Sequence, residues 1–305
     1  MDHELSESLA AAAEDLEALE ARLRARHGVS RIDVELRPDA AAREVAVVGV
    51  VLVDRLRTPV LDRVRERLAP WTVTDAMAVV QGGPWLDVPM RRVLRAASIG
   101  GAAVTVLHPE DGPVEVLWTV EGALLVRDRC GTVGWTQAAL GSPAPPPVLP
   151  TVPTCGPASF VAAACRYEGT PYELAGTDRA AIDCSGLVQR AAWSTMGLAL
   201  PRNSGDLWSL GARPGPPPAG AGHLVFTWTA GESLRHVGIC TPNAVVHASA
   251  SRRRVVLDPV DAFVRAAERI EHVPFEALLA HGRRCAGHPN ILAAGVRLGE
   301  AGLAG

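Results

Sequence analysis

Asp183-Cys184-Ser185-Gly186-Leu187-Val188 places a thiol where a turn becomes a helix. Beyond it Leu187, Val188 and Ala191, with Ala192 and Trp193, recur at helical spacing, and the run stops at Gly197. The spacing predicts a helix with Cys184 in its first turn. Unpaired backbone N–H groups and the positive end of the helix dipole favour thiolate over thiol there. A thiolate is the nucleophile of covalent catalysis.

Such a thiol needs a base. Residues 233–241, around His236, read as a strand, Pro242-Asn243 as a turn, and Ala244-Val245-Val246-His247-Ala248-Ser249 as the returning strand. One register of that hairpin puts His236 and His247 on the same face. His236 then takes the thiol proton, and His247 orients its ring through the second nitrogen. The other reading of His247 is a hydrogen-bonded strand histidine.

Further blocks follow in order: Leu200-Pro201-Arg202-Asn203-Ser204, His236-Val237-Gly238-Ile239 and His247-Ala248-Ser249, with Gly169-Thr170-Pro171-Tyr172-Glu173-Leu174-Ala175-Gly176 upstream. Over roughly residues 155–260 this chain resembles the NlpC/P60 family of cysteine peptidases, and several ordered blocks are far more specific than one motif. The resemblance implies an α+β, papain-like catalytic domain. It also implies cleavage of bacterial cell-wall peptides, usually at the bond from γ-D-glutamate to a diamino acid.

Carried onto this sequence, the resemblance makes Cys184 the nucleophile, His236 the base and His247 the third catalytic residue. Tyr172 reaches over the nucleophile, Asp183 and Ser185 bind the substrate's free amino end, and Ser204 contacts substrate. A second reading of Asp183 is a helix cap, and the two roles can coexist. Arg202 reads as an ion-pair or loop anchor. No metal or organic cofactor is implied. The chain departs from the family pattern where Leu174 and Ala175 replace an aromatic residue and a glycine, altering one wall of the specificity pocket. His223 stands where the family has an aspartate, which bears on local hydrogen bonding more than on catalysis. The turn between the two histidines is a residue tighter than usual.

The 305 residues are long enough for two or more domains. Residues 1–85 read as a small α/β module: a helix over 5–27 closed by Gly28, strands over 31–36, 44–53 and 71–80, and a helix capped by Thr58 with Pro59 next. Residues 88–141 break into short strands, and Gly131-Thr132-Val133-Gly134-Trp135 resembles the last strand of bacterial SH3 domains. That predicts a small SH3-like β-barrel, with Trp135 in its core, that either shapes the site or acts as a spacer. Residues 142–153 read as a semi-rigid proline-rich linker able to hold the barrel near the catalytic cleft, 154–285 as the catalytic domain and 286–305 as a tail. Within the catalytic region 205–222 reads as a loop, 261–271 as a helix and 275–281 as a shorter helix.

A net charge of −3 gives no electrostatic argument for nucleic acid or an anionic membrane. The six cysteines, at 130, 155, 165, 184, 240 and 285, show no paired metal spacing and no disulfide framework. The acidic start Met1-Asp2-His3-Glu4 precedes no apolar signal core, and no apolar run is long enough to span a bilayer, so the expectation is a cytoplasmic protein. The expected partner is a murein peptide with an N-terminal L-Ala. Two rival readings remain: an amidase, acyltransferase or exported wall-degrading effector using the same triad, and a catalytically inactive peptide-binding module.

Overall fold

Three sheets organise the chain. The computed structural model describes residues 3–27, 32–52, 56–79, 83–95, 100–137, 139–147, 155–215, 222–228, 236–265 and 267–285. Gly28, Gly82, the expected linker beyond residue 147, the loop over 216–221, residues 233–235 ahead of His236 and the expected tail lie outside the described residues.

The first sheet joins α1 (His3–His27), β1 (Ile32–Asp39), β2 (Glu44–Val51), α2 (Arg57–Leu68) and β3 (Thr72–Val79). β1 and β2 are antiparallel, while β2 and β3 run parallel because α2 makes the crossover between them. Val60, Leu61, Val64 and Leu68 form the buried stripe of α2. The helix begins at Arg57 with Leu56 as cap residue, so Thr58 does not cap it. Pro59 sits inside the first turn, where its missing N–H is tolerated.

The second sheet contains β4 (Trp85–Leu86), β5 (Arg92–Arg95), β6 (Ala103–Leu107), β7 (Val114–Val120), β8 (Ala123–Arg127), β9 (Val133–Gln137) and β10 (Pro143–Ala144). Its strand order is β10-β4-β7-β8-β9-β5-β6, with no ladder joining β6 to β10 among the described residues. The expected barrel is therefore an open sheet at the level of backbone pairing. One face buries Val88, Leu94, Leu107, Val114, Val116, Leu124 and Val126. Leu117 and Leu125 instead join a core with Leu16, Leu19, Val45, Val47, Val60 and Val64, and Trp118 and Trp135 pack against it. Trp135 thus packs toward the first module rather than into a barrel interior. Pro143, read from sequence as linker, pairs with Leu86 at the sheet edge, where a residue without an N–H is accommodated.

The third unit carries α3 (Pro157–Cys165), α4 (Cys184–Met196), α5 (Ser204–Trp208), β11 (Arg213–Pro214), β12 (Leu224–Trp228), β13 (His236–Cys240), β14 (Ala244–Ser249), β15 (Arg254–Pro259), α6 (Val260–Val264), β16 (Arg269–Val273) and α7 (Phe275–Cys285). Its order, β11-β16-β12-β13-β14-β15, is antiparallel throughout. α3 and α4 cover one face, burying Phe160, Leu187, Val188 and Ala191 against Val237, Ile239, Val246 and Ala248. Each buried Leu or Val contributes about 1.5–3 kcal/mol. Val225, Cys240 and Val245 turn to the other face, under Val260, Phe263 and Ile270.

Two expected elements differ. The predicted helix over 261–271 is one turn, α6, because Arg269 to Val273 pairs with Trp228 to Leu224 instead. The predicted loop over 205–222 opens inside α5, which runs Ser204–Trp208 and buries Asp206 and Leu207. Among the described residues no helix is long and apolar enough to cross a membrane.

Candidate active site

The site lies where α4 begins and β13 opens. Asp183 caps α4, its extended backbone (φ −99°, ψ 179°) letting Oδ1 accept from Gly186 N–H at 2.7 Å. Gly186 is required by close approach: a Cβ there would lie 2.3 Å from the Gly176 carbonyl oxygen. Gly197 ends the helix in the left-handed conformation, φ 58°.

Asp183 and Ser185 lie in an internal hydrogen-bond network at the helix start. Asp183 is buried, and Oδ2 accepts from Ala175 N–H at 2.8 Å. Arg202 donates to Oδ1 at 3.0 Å and to Oδ2 at 2.6 Å. Ser185, also buried, donates its hydroxyl to Asp183 Oδ1 at 3.2 Å and accepts from Arg202 at 2.8 Å. Five internal donors occupy the carboxylate, so its charge is neutralised inside the fold. Arg202 is the anchor that the sequence suggested. It also donates to Thr105 Oγ1 at 3.1 Å, tying the helix start to β6.

Cys184 is only partly covered. The backbone N–H groups of Val237 and Ser185 favour its thiolate, which places the sulfur near the residue that follows His236. Burial nevertheless pushes the thiol up to about 11, and the Asp183 carboxylate adds to that. Desolvation thus opposes the helix dipole at this sulfur.

His236 and His247 lie on the sheet face that carries α6. The β13–β14 register sets Ile239 opposite Val246, which places the two histidines diagonally across the ladder. His236 Nε2 is 2.8 Å from His247 Nδ1, with ring centroids 5.0 Å apart and edge to face. Phe263 of α6 packs on both rings, at 5.6 and 4.8 Å. Gly238 makes room between them, since a Cβ there would lie 3.2 Å from His247 Cβ and 2.3 Å from Val245 Cγ1. Burial, with His247 nearby, pushes His236 down to about 4, against the opposing pull of Asp183. Burial also lowers His247, although Asp258 acts the other way. Both imidazoles are neutral at pH 7, as a proton acceptor must be.

Tyr172 is half-buried, and burial followed by the charges of Cys184 and Asp183 pushes its phenol up to about 12. Leu174 is 70% exposed beside it, and Ala175 holds the left-handed conformation, φ 68°, at the position where the family has glycine. Ser204 is half-buried in the first turn of α5, one residue beyond the cap Asn203. His223 is tied locally: its Nδ1 accepts from Phe275 N–H at 3.3 Å, and its ring meets His272 edge to face. Asp258 was missed in the sequence; its Oδ2 lies 3.1 Å from His247 Nε2. A carboxylate inside the apolar strand run Val255-Val256-Leu257 was the available signal.

Cys184 at the start of α4 and the hydrogen-bonded His236–His247 pair on the adjoining sheet are groups of the kind that nucleophilic acyl chemistry uses. Residues 169–269 match the NlpC/P60 family, and this part of the chain is an NlpC/P60 domain. The chain is 40% identical over 86 residues to the murein DD-endopeptidase MepS/murein LD-carboxypeptidase of Escherichia coli K12, covering 28% of this chain and 45% of that protein. It is 38% identical over 88 residues to the "Probable endopeptidase NlpC" of the same strain, covering 28% of this chain and 57% of that protein. The matches thus span about half the length of these relatives. Among solved structures, the NlpC/P60 domain of the peptidoglycan hydrolase SagA is 28% identical, covering 39% of this chain and 99% of that one, with a TM-score of 0.34.

Proposed function

We propose that this protein is a cysteine peptidase that hydrolyses murein peptides. The observation that carries the reading is the hydrogen-bonded His236–His247 pair, with His236 on the strand whose Val237 N–H lies near the Cys184 sulfur. His236 accepts the Cys184 proton as the sulfur attacks the scissile carbonyl, and the oxyanion meets the N–H groups at the start of α4. The imidazolium then gives that proton to the departing amine. Water resolves the thioester, regenerating thiol and carboxylate. Tyr172 and Ser204 contact the peptide, while Asp183, Ser185 and Arg202 hold the helix start in place.

The bond proposed is that from γ-D-glutamate to a diamino acid in a short peptide bearing N-terminal L-Ala, with the second sheet, as an SH3-like module, shaping the cleft. Thr177 Oγ1 donates to the Val106 carbonyl at 2.8 Å, and Arg190 bonds Asp111 from α4, which supports close packing of that sheet on the catalytic unit. A second reading, an endopeptidase acting on intact sacculi, is favoured by the pairing of the Asp183 carboxylate with Arg202, which offsets the charge that would draw a free amino end.

The test incubates the full chain and Cys184→Ala with L-Ala-γ-D-Glu-diaminopimelate, its N-acetylated form and intact sacculi. Dipeptide released from the free tripeptide alone supports the first reading, and digestion of sacculi the second. Wild type equal to Cys184→Ala on every substrate overturns both in favour of a peptide-binding module.

A further inference from the structure

The histidine pair does not end at His247. Asp258, on β15, is buried and sits two residues from Val256, the cross-strand partner of His247, so it shares the histidine's face. Its Oδ2 lies 3.1 Å from His247 Nε2, and its Oδ1 accepts from Arg252 at 2.6 Å. A carboxylate can only accept, which forces His247 to carry its proton on Nε2. In the neutral ring Nδ1 is then a lone pair, and the 2.8 Å contact forces His236 to donate from Nε2. The same rule strips His236 Nδ1 of its proton.

We propose that Asp258 is a positioning residue: through His247 it selects the tautomer of His236 that leaves Nδ1 as the proton acceptor for the Cys184 thiol. The inference rests on the peptidase reading for its catalytic consequence but not for its chemistry. Arg252, half-exposed in the turn before β15, holds the outer oxygen so that the inner one points at the ring. Once His236 has taken the proton, the same chain places a carboxylate two hydrogen bonds from the new positive charge. The charged groups acting on the pair are Asp258, Arg252 and Asp183, and the apolar Phe263 of α6 packs on both rings.

The experiment has two arms, each on the full chain. In the first, ring 15N NMR at pH 7 on the Cys184→Ala background should show protons on Nε2 of both histidines. Asp258→Ala should redistribute His247 toward Nδ1–H, while Asp258→Asn, whose amide oxygen still accepts, should largely retain the tautomer. In the second arm, kcat on the cleaved murein peptide should fall about 10–100-fold in Asp258→Ala, with less loss in Asp258→Asn and KM moving little. The acid limb of the pH profile should shift to lower pH, because the imidazolium loses its carboxylate. A purely architectural Asp258 would lower activity without moving that limb. The inference is overturned if the wild-type rings carry Nδ1–H, or if Asp258→Ala alters neither tautomer nor pH limb. An inactive wild type with the expected tautomers overturns the peptidase reading and leaves this one standing.

Discussion

Removing the Arg202 guanidinium tests how the start of α4 is held. Arg202→Met keeps an apolar chain of similar length but deletes bonds to Asp183 at 3.0 and 2.6 Å, to Ser185 Oγ at 2.8 Å and to Thr105 Oγ1 at 3.1 Å. Asp183 retains Gly186 N–H, Ala175 N–H and the Ser185 hydroxyl, yet its buried charge has lost its counter-charge. Leaving one member of a buried pair uncompensated costs about 3–5 kcal/mol. At about 2–4 °C per kcal/mol, the melting temperature should fall by about 6–20 °C. Asp183→Asn alone should be destabilising for the converse reason, an orphaned guanidinium. The double variant Asp183→Asn/Arg202→Met should be less damaged than the two losses summed, by about 0.5–3 kcal/mol, since it buries no charge and can still cap Gly186. Chemical unfolding of the four proteins measures this coupling. A single-variant loss below about 1 kcal/mol, or additivity within about 0.5 kcal/mol, would refute the reasoning.

Two other outcomes follow from the same geometry. Ala175 holds φ 68°, which penalises a side chain by roughly 1–2 kcal/mol, so Ala175→Gly should stabilise the protein by up to about 1 kcal/mol after the added freedom of the unfolded glycine; a lower melting temperature would contradict this. His236, at about 4 in the fold against an ordinary 6.5, binds fewer protons than the unfolded chain between those values. Its contribution to stability is therefore complete above about pH 6.5 and lost as pH falls toward 4, about 3 kcal/mol in all. Unfolding of wild type and His236→Asn across that window should converge on acidification, and parallel curves would show that the ring is not held neutral.

The linear chain determined the helix that begins at Cys184. Asp183 before Cys184, apolar residues at helical spacing after it and Gly197 in the left-handed cap are local features, readable because capping and periodicity depend on neighbours in sequence. The β13–β14 hairpin was legible for the same reason, its two strands being joined by a short turn. The rest depended on residues far apart in the chain. Whether Arg269 to Val273 would be helix or strand was decided by pairing with β12, and the open second sheet by its packing against the first module. Asp183 became an internal counter-charge only because Arg202 folds back onto it, and burial at Cys184 acts against the helix dipole. Asp258 reaches His247 only through strand register. Desolvation, counter-charge and cross-strand contact are properties of the assembled fold, and spacing along the chain carries none of them.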